Sequence, residues 1–190
     1  MDLDRLADEA EPVDPAGLRQ AAVLVPVIER RDDRYLLFTK RAETLSRHPG
    51  QMSFPGGATE PEDTGAIGTA LREAEEEAGI RPTEADVVGQ LSPITTVSDF
   101  SVSPIVARVP DRDFVPDGVE IVEVAVLPVR AFLTADNHER EWRMGPDGSP
   151  RPVEYFSVDG YTVWGATGRL VAQLLEQTTD WEPPENNRRV

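Results

Sequence analysis

A short turn, Phe54-Pro55-Gly56-Gly57, separates two kinds of sequence pattern and constrains the fold more than any other feature. Before it, residues 21–29 and 35–39 are rich in β-branched and aromatic side chains, which predicts a strand–turn–strand hairpin. After it, apolar residues recur at the spacing of a helix that buries one face. These residues are Ile67, Leu71, Ala74 and Ala78. A β-carbon would obstruct this turn, which explains its glycines. The pattern therefore predicts strands joined to a packed helix by way of a glycine turn.

The rest of the chain carries strand patterns up to a final amphipathic helix. Helices are predicted at residues 64–78, where Gly79 marks the stop, and at residues 165–177. Further strands are predicted at residues 87–91, 102–109, 118–127, 152–158 and 161–164. This order predicts an α+β protein, an α/β/α sandwich with a mixed, largely antiparallel sheet between helices.

Composition limits the domain count and the classes of partner. The 190 residues, 20.9 kDa, fit one domain. We interpret residues 1–18 as an N-terminal arm, residues 19–180 as the single domain and residues 181–190 as a disordered tail. The net charge of −16 argues against nucleic acid or an anionic membrane surface as partners. A small-molecule substrate and a monomer or homodimer are therefore expected.

Two absences narrow the chemistry and the location. The chain has no cysteine, so any metal must bind oxygen atoms or one of the two histidines. Its apolar runs are far shorter than the roughly 20 residues of a membrane helix, and the acidic start is no signal peptide, which predicts a cytoplasmic protein. Lys40 is the only lysine in this acidic chain. That composition is typical of halophilic proteins, whose carboxylates keep them hydrated in molar salt.

The predicted helix at residues 64–78 gathers carboxylates on one side. At about 100° per residue, Glu73, Glu76 and Glu77 fall within roughly a 100° arc, away from the apolar stripe. Like charges at this spacing destabilise a helix unless a cation offsets them, and hard oxygen ligands suit Mg²⁺ or Mn²⁺. Arg72 lies one turn before Glu76 and could fix its orientation. The competing interpretation is an ordinary solvated face in a chain with 35 acidic residues.

The segment from Gly57 to Ile80 resembles the Nudix box, G-x5-E-x7-R-E-U-x-E-E-x-G-U, where U is aliphatic. The core Arg72-Glu73-Ala74-Glu75-Glu76-Glu77-Ala78-Gly79-Ile80 matches it, with Ala74 as a small U. The spacing from Gly57 to Arg72 is one residue longer than in the general pattern, so the early Glu falls on Asp63 or Thr64. The resemblance implies a Nudix fold and metal-dependent hydrolysis of a diphosphate. Glu73, Glu76 and Glu77 are the implied metal ligands, with Arg72 beside them.

The longer spacing is similar to the coenzyme A diphosphatase branch of that superfamily, with its upstream signature L-L-T-x-R-S-x4-R-x3-G-x3-F-P-G-G. Here Leu37-Phe38-Thr39-Lys40-Arg41-Ala42, Gly50 and residues 54–57 keep that spacing. Ala42 replaces the usual Ser, and Ser46 stands where an Arg is usual, with Arg47 next to it. The resemblance implies products of 4′-phosphopantetheine and adenosine 3′,5′-bisphosphate. The residues implied or considered for substrate binding are Arg41, Arg47, Phe54, Gly56 and Gly57.

Several assignments stay open at this point. The general base is either a box glutamate or Glu120, which occupies the position of a later carboxylate but could equally be a surface residue where a strand starts. Phe54 and Trp164 could stack on adenine, although hydrophobic packing explains either ring. The rival functions are hydrolysis of another nucleoside diphosphate derivative, such as ADP-ribose, and non-catalytic nucleotide binding.

Overall fold

The computed structural model describes residues 1–6, 17–31, 33–45, 48–145 and 148–183, and the backbone of residues 187–189. Its three α-helices in these residues are α1 (Gly65–Ala78), α2 (Val129–Phe132) and α3 (Gly165–Thr178). The strands are β1 (Arg19–Arg30), β2 (Asp33–Arg41), β3 (Met52–Ser53), β4 (Gly56–Ala58), β5 (Asp86–Gln90), β6 (Ile94–Thr95), β7 (Phe100–Val109), β8 (Ile121–Pro128), β9 (His138–Met144), β10 (Pro150–Val158), β11 (Tyr161–Trp164) and β12 (Asn187–Arg189).

A mixed sheet forms the centre of the molecule. Its main path is β3-β2-β1-β7-β5, with β8 paired to β2, β4 to β1 and β6 to β7. The predicted hairpin is present as β1 and β2, which pair antiparallel. The pair of β1 with β7 is parallel over ten residues, and the other pairs of this sheet are antiparallel. The expected mixed, largely antiparallel sheet is therefore confirmed.

Helix α1 covers one face of this sheet because its small residues allow close approach. Ala70, Ala74 and Ala78 are fully buried against Leu24 and Ile28 of β1 and other apolar residues of the same cluster. Gly79 ends the helix in the left-handed conformation, with φ 66°. Ile67, which the spacing predicts on the buried face, is 41% exposed. It lies in the first turn, before the helix reaches the centre of the sheet.

The opposite face is covered by α2, α3 and a second sheet. Val25 and Val27 of β1 point to this side, as expected from the two-residue alternation of a strand, and belong to one cluster with Leu170, Val171 and Leu174 of α3. The second sheet has the order β11-β10-β9-β12. Its β10–β11 hairpin was predicted from Asp159-Gly160, whereas β9 and the separation into two sheets were not.

The end of the chain packs more closely than its composition suggests. Trp181 lies against Phe156 and meets the ring of His138 edge-on, with centroids 5.3 Å apart. Residues 187–189 pair in parallel with β9. His138 is buried on β9, and its Nε2 lies 2.7 Å from Glu154 Oε2. Within the described part of the chain, no helix is both long and apolar enough to span a bilayer.

Candidate active site

The segment of residues 54–57, predicted as a turn, bends only at Pro55, and Gly56 and Gly57 begin strand β4, which pairs with β1. This segment runs alongside the helix that carries the glutamates. Gly56 pairs with Val23 of β1 so closely that an added Cβ would lie 2.4 Å from the carbonyl oxygen of Ala22. The Gly56 N–H is directed at α1 and donates a hydrogen bond of 3.2 Å to Oε2 of Glu77. Only glycine allows this backbone to pass between β1 and the helix, which explains why the turn and the carboxylates occur together.

Glu77 is the most enclosed of the three predicted ligands. The residue is 9% exposed, and burial raises the pKa of its carboxyl to about 8. The Gly56 N–H and the charge of Arg41 oppose that rise, whereas the negative charges of Glu73 and Asp117 add to it. A buried carboxylate with negative neighbours is stabilised by any cation that reaches it.

Glu73 lies against the next residue of the turn. A Cβ added to Gly57 would come within 2.4 Å of Glu73 Oε1, so a larger residue there would displace this carboxylate. Its side chain is 16% exposed, and Oε1 lies 3.1 Å from Nη1 of Arg72. Burial raises the pKa of Glu73, although the Arg72 guanidinium opposes the rise. Glu73 and Glu77 thus face adjacent glycines of strand β4.

Arg72 is held chiefly by Asp63. Its Nε and Nη2 donate to the two oxygens of Asp63 at 2.9 and 3.1 Å, and Nη2 also donates to the Ala58 carbonyl. The hydroxyl of Thr69 donates to the same carboxylate at 2.9 Å, and these bonds hold the pKa of Asp63 well below its usual range. Asp63 is therefore the acidic residue that anchors Arg72.

The predicted contact between Arg72 and Glu76 is secondary to the Asp63 pair. Arg72 Nη1 lies 3.4 Å from Glu76 Oε1, and the Glu76 side chain is 60% exposed. Since an exposed ion pair of this length is weak, it does not lock the carboxylate in place. Glu76 is free to turn towards a ligand.

Arg41 and Glu120 meet at the edge of the same site. The Ala42 N–H donates to the Glu120 carbonyl at 2.8 Å, and Nη2 of Arg41 lies 3.5 Å from Glu120 Oε2. Nε of Arg41 is buried, and no described residue accepts a hydrogen bond from it. Glu120 precedes β8 and its side chain is 57% exposed. The structure thus brings a guanidinium with a spare donor to the edge of the carboxylate site.

Asp117 is a site residue that sequence reasoning missed. Its Oδ1 accepts hydrogen bonds from the N–H groups of Val119, Glu120 and Ile121 at 2.7, 3.0 and 2.9 Å. These bonds fix the turn that precedes β8 and carries Glu120, and the charge of Asp117 acts on Glu77. The signal was present in the sequence, because Asp117-Gly118 is a typical side-chain-capped turn.

The remaining predicted residues divide between core, surface and undescribed segments. Phe54 is 2% exposed and stacks on Phe38 with ring centroids 4.7 Å apart, so it packs in the core and offers no face to a ligand. Trp164 is 38% exposed. Arg47, like Ser46, lies outside the described residues. His48 adopts a left-handed backbone conformation in the loop before β3.

The donor set suits a hard divalent cation, although the carboxylates are not gathered around a point. Three carboxylates from one helix provide hard oxygen ligands, and buried Glu77 is stabilised by positive charge. Across the described residues, however, no three Asp, Glu or His side chains are placed to hold a metal ion together. Glu73 and Glu76 lie near Arg72 instead. The chemistry of the residues therefore fits a cation, and binding requires the carboxylates to move closer together.

Comparisons with known proteins agree with this architecture. The NUDIX domain family matches residues 18–147. The chain is 40% identical over 166 residues to the uncharacterized Nudix hydrolase NudL of Cronobacter sakazakii, an alignment that covers 84% of this chain and 82% of the relative. Its fold is similar to that of an Ap4A hydrolase from C. elegans, with a TM-score of 0.50, 20% identity, and coverage of 58% and 80%. It is also similar to the Nudix hydrolase RenU from M. smegmatis, with a TM-score of 0.51, 21% identity, and coverage of 60% and 73%.

Proposed function

The chain belongs to the NUDIX domain family of hydrolases, and on that premise we propose that it hydrolyses the diphosphate bond of coenzyme A or of a coenzyme A derivative. The products would be 4′-phosphopantetheine and adenosine 3′,5′-bisphosphate. The observation that carries the proposal is the position of Arg41. This residue comes from the upstream signature, and its buried Nε is left without an acceptor among the described residues, beside Glu120 and within the field of Glu77.

The chain's own residues have separate tasks in this proposal. Arg41 binds a phosphate oxygen, since a guanidinium is always charged and its fork matches phosphate geometry. Gly56 and Gly57 have no side chains, which leaves room for the diphosphate to approach Glu73 and Glu77. Asp63 holds Arg72, and Arg72 in turn pairs with Oε1 of Glu73. These contacts position a dense negative charge in a protein whose own net charge is −16.

Nudix hydrolases use divalent metal ions, and Glu73, Glu76 and Glu77 are the proposed ligands here, with Mg²⁺ or Mn²⁺ as the proposed ions. When bound, such an ion neutralises the phosphates and lowers the pKa of coordinated water. Cleavage forms a bond between the water oxygen and one phosphorus and breaks the bond from that phosphorus to the bridging oxygen. The proton released by the water goes to a carboxylate. We assign this role to Glu120, because its carboxylate is exposed, lies beside Arg41 and has a partner at only one oxygen among the described residues.

The main alternative is cleavage of another nucleoside diphosphate derivative, such as ADP-ribose. Ser46 favours this alternative, because the coenzyme A branch has arginine at that position. A non-catalytic nucleotide-binding role is disfavoured, because a protein that only binds has no need of Arg72 together with Glu73, Glu76 and Glu77.

Steady-state kinetics on a substrate panel tests the proposal. Coenzyme A, 3′-dephospho-coenzyme A, ADP-ribose and Ap4A are each incubated with Mg²⁺ or Mn²⁺ in high KCl. We expect the highest kcat/KM with coenzyme A or its derivatives. A higher kcat/KM with ADP-ribose would reject the substrate assignment and leave the hydrolase in place, whereas no cleavage of any of them by folded, metal-binding protein would favour a binding role.

A further inference from the structure

A cavity of about 430 Å³ lies between the segment that leads into β3 and the β10–β11 hairpin. Its lining includes Lys40 and Glu43 on one side and Tyr161, Thr162 and Trp164 on the other. Lys40 precedes Arg41 on β2, so the cavity lies at the same end of the strand as the proposed phosphate contact. Successive side chains of a strand point to opposite faces of the sheet, so a substrate that reaches both places extends round the end of β2 at Arg41.

Trp164 offers the cavity a flat apolar surface that is fixed in place. Its ring stacks on Tyr155 with an interplanar angle of 2° and centroids 5.7 Å apart, and the residue remains 38% exposed. Trp164 is also the N-cap residue of α3, where its backbone is extended. A large aromatic ring that is exposed at a cavity, and is held by a second ring behind it, can bind a planar group without losing much conformational freedom.

The charges of the cavity favour a neutral group over a phosphate. Lys40 is already paired with Glu123, at 3.8 Å, and the hydroxyl of Tyr161 donates to the same carboxylate. Glu43 adds a second carboxylate, which lies so close to Gly50 that a Cβ there would be 2.3 Å from Oε1. Because Glu123 already pairs with Lys40, the carboxylate of Glu43 is the charge in the lining that has no counter-ion among the described residues. It repels a phosphate but accepts hydrogen bonds from amino groups. A planar group with an N–H edge therefore suits this cavity better than an anion.

From these contacts we propose that the cavity binds the adenine base of the substrate, stacked on Trp164 and with its amino edge towards Glu43. The inference rests on the proposed function, in that it assigns the nucleotide half of the diphosphate to the Lys40 side of β2. A flexible pantetheine arm gains less from a rigid aromatic face, because it must give up more rotational freedom to lie flat against the ring.

Intrinsic tryptophan fluorescence tests the assignment without any turnover. Adenosine monophosphate, which has no diphosphate to cleave, is titrated into the parent protein, Trp164→Leu, Trp164→Phe and Trp181→Phe in the absence of metal. We expect saturable quenching in the parent and in Trp181→Phe, and its loss in Trp164→Leu. Unchanged quenching in Trp164→Leu, or quenching by 4′-phosphopantetheine and not by adenosine monophosphate, would overturn the inference.

Kinetics on the best substrate of the panel provides the second readout. Stacking on one aromatic ring accounts for about 5- to 150-fold in affinity, so Trp164→Leu should raise KM by that factor and change kcat by less than about threefold. Trp164→Phe keeps a ring and should recover most of the loss, which a general folding defect would not explain. Equal KM in the parent and Trp164→Leu would contradict the proposal. Adenosine monophosphate binding without coenzyme A cleavage would reject only the proposed substrate, so the two failures are distinguishable.

Discussion

Single residues of this site act through their immediate partners more than through their own charge. Asp63 and Asp117 are not proposed ligands, yet Asp63 holds the Arg72 side chain beside Glu73, and Asp117 holds the backbone that carries Glu120. Asp63 accepts two bonds from Arg72, and Asp117 accepts three backbone N–H bonds around Glu120. The sequence predicted Arg72 and Glu120 but not their partners. Those depend on how the chain folds back, over a separation of 9 residues from Asp63 to Arg72 and of 3 residues from Asp117 to Glu120.

Removing the acceptor at Asp117 should impair activity through Glu120. Asp117→Ala deletes the oxygen that holds three N–H groups, and we expect kcat/KM to fall about 10- to 100-fold, as for other residues that orient catalytic groups. Asp117→Asn keeps an acceptor oxygen and should recover most of that loss. Steady-state kinetics of the two variants makes the comparison. Equal losses of kcat/KM in Asp117→Ala and Asp117→Asn would show that the negative charge of Asp117 matters and that its hydrogen bonds to the turn do not.

At the level of elements, the C-terminal half of helix α1 is positioned from two sides. Gly56 and Gly57 face Glu77 and Glu73, and the C-terminal end of the helix is closed by Arg112, whose Nη2 donates to the Gly79 carbonyl at 2.6 Å. Arg112 is itself paired with Glu84, which also accepts from Arg81. The loop that follows β7 therefore joins the end of α1 to the segment that carries Asp117.

Gly57→Ala should reduce activity by displacing one carboxylate. The new Cβ would lie 2.4 Å from Glu73 Oε1, and we expect kcat/KM to fall at least 10-fold with a smaller effect on the melting temperature. A double-mutant cycle with Glu73→Ala isolates this contact. In the Glu73→Ala background the added methyl group should cost little further activity. Full additivity of the two losses would mean that Gly57 acts on something other than Glu73.

Glu84 gives the closed end of α1 a predictable pH dependence. The Arg112 guanidinium lowers the pKa of Glu84 to about 2 from its ordinary 4.5. Because the folded-state pKa is the lower one, the stabilisation is complete above about pH 4.5 and is lost as the pH falls towards 2. Glu84→Gln should therefore lower the free energy of unfolding by about 1–3 kcal/mol at pH 7, and the difference from the parent should shrink at pH 3. Urea denaturation at both pH values measures this.

Glu62 is exposed, so Glu62→Gln provides the matched control for that experiment. It should leave the free energy of unfolding within about 0.5 kcal/mol of the parent at pH 7. A difference between Glu84→Gln and the parent that stays constant from pH 7 to pH 3 would contradict the assigned ion pair.

Local patterns predicted the elements well and the long-range arrangement poorly. The start of α1 was predicted at residue 64 and is found at Gly65, because the apolar spacing and Gly79 are local signals. Strand β9 was missed since His138–Met144 is charged along most of its length and becomes a strand through pairing with β10. The burial of Glu77 and of His138 likewise depends on segments distant in sequence, which no local pattern reports.

At the scale of the whole molecule, the excess of carboxylates sets the response to salt. The net charge is −16 with Lys40 as the sole lysine, so self-repulsion should be strong in dilute buffer and screened in molar salt, where the Debye length falls to about 3 Å. We expect the melting temperature at pH 7 to rise by at least about 5 °C between 0.1 M and 2 M KCl. Near the pI of about 4.5 the rise should be much smaller. A salt effect of equal size at both pH values would point to a cause other than charge.

The central claim is that the α1 carboxylates and Arg41 form one site that cleaves coenzyme A. Product analysis by mass spectrometry tests it most directly, with coenzyme A, Mg²⁺ or Mn²⁺ and high KCl, for the parent and for Glu76→Gln. Since the Glu76 side chain is 60% exposed, this substitution should preserve the fold. We predict 4′-phosphopantetheine and adenosine 3′,5′-bisphosphate from the parent, and a rate at least 100-fold lower from the variant. Intact coenzyme A after incubation with folded, metal-binding parent, or equal product from both proteins, would contradict the account.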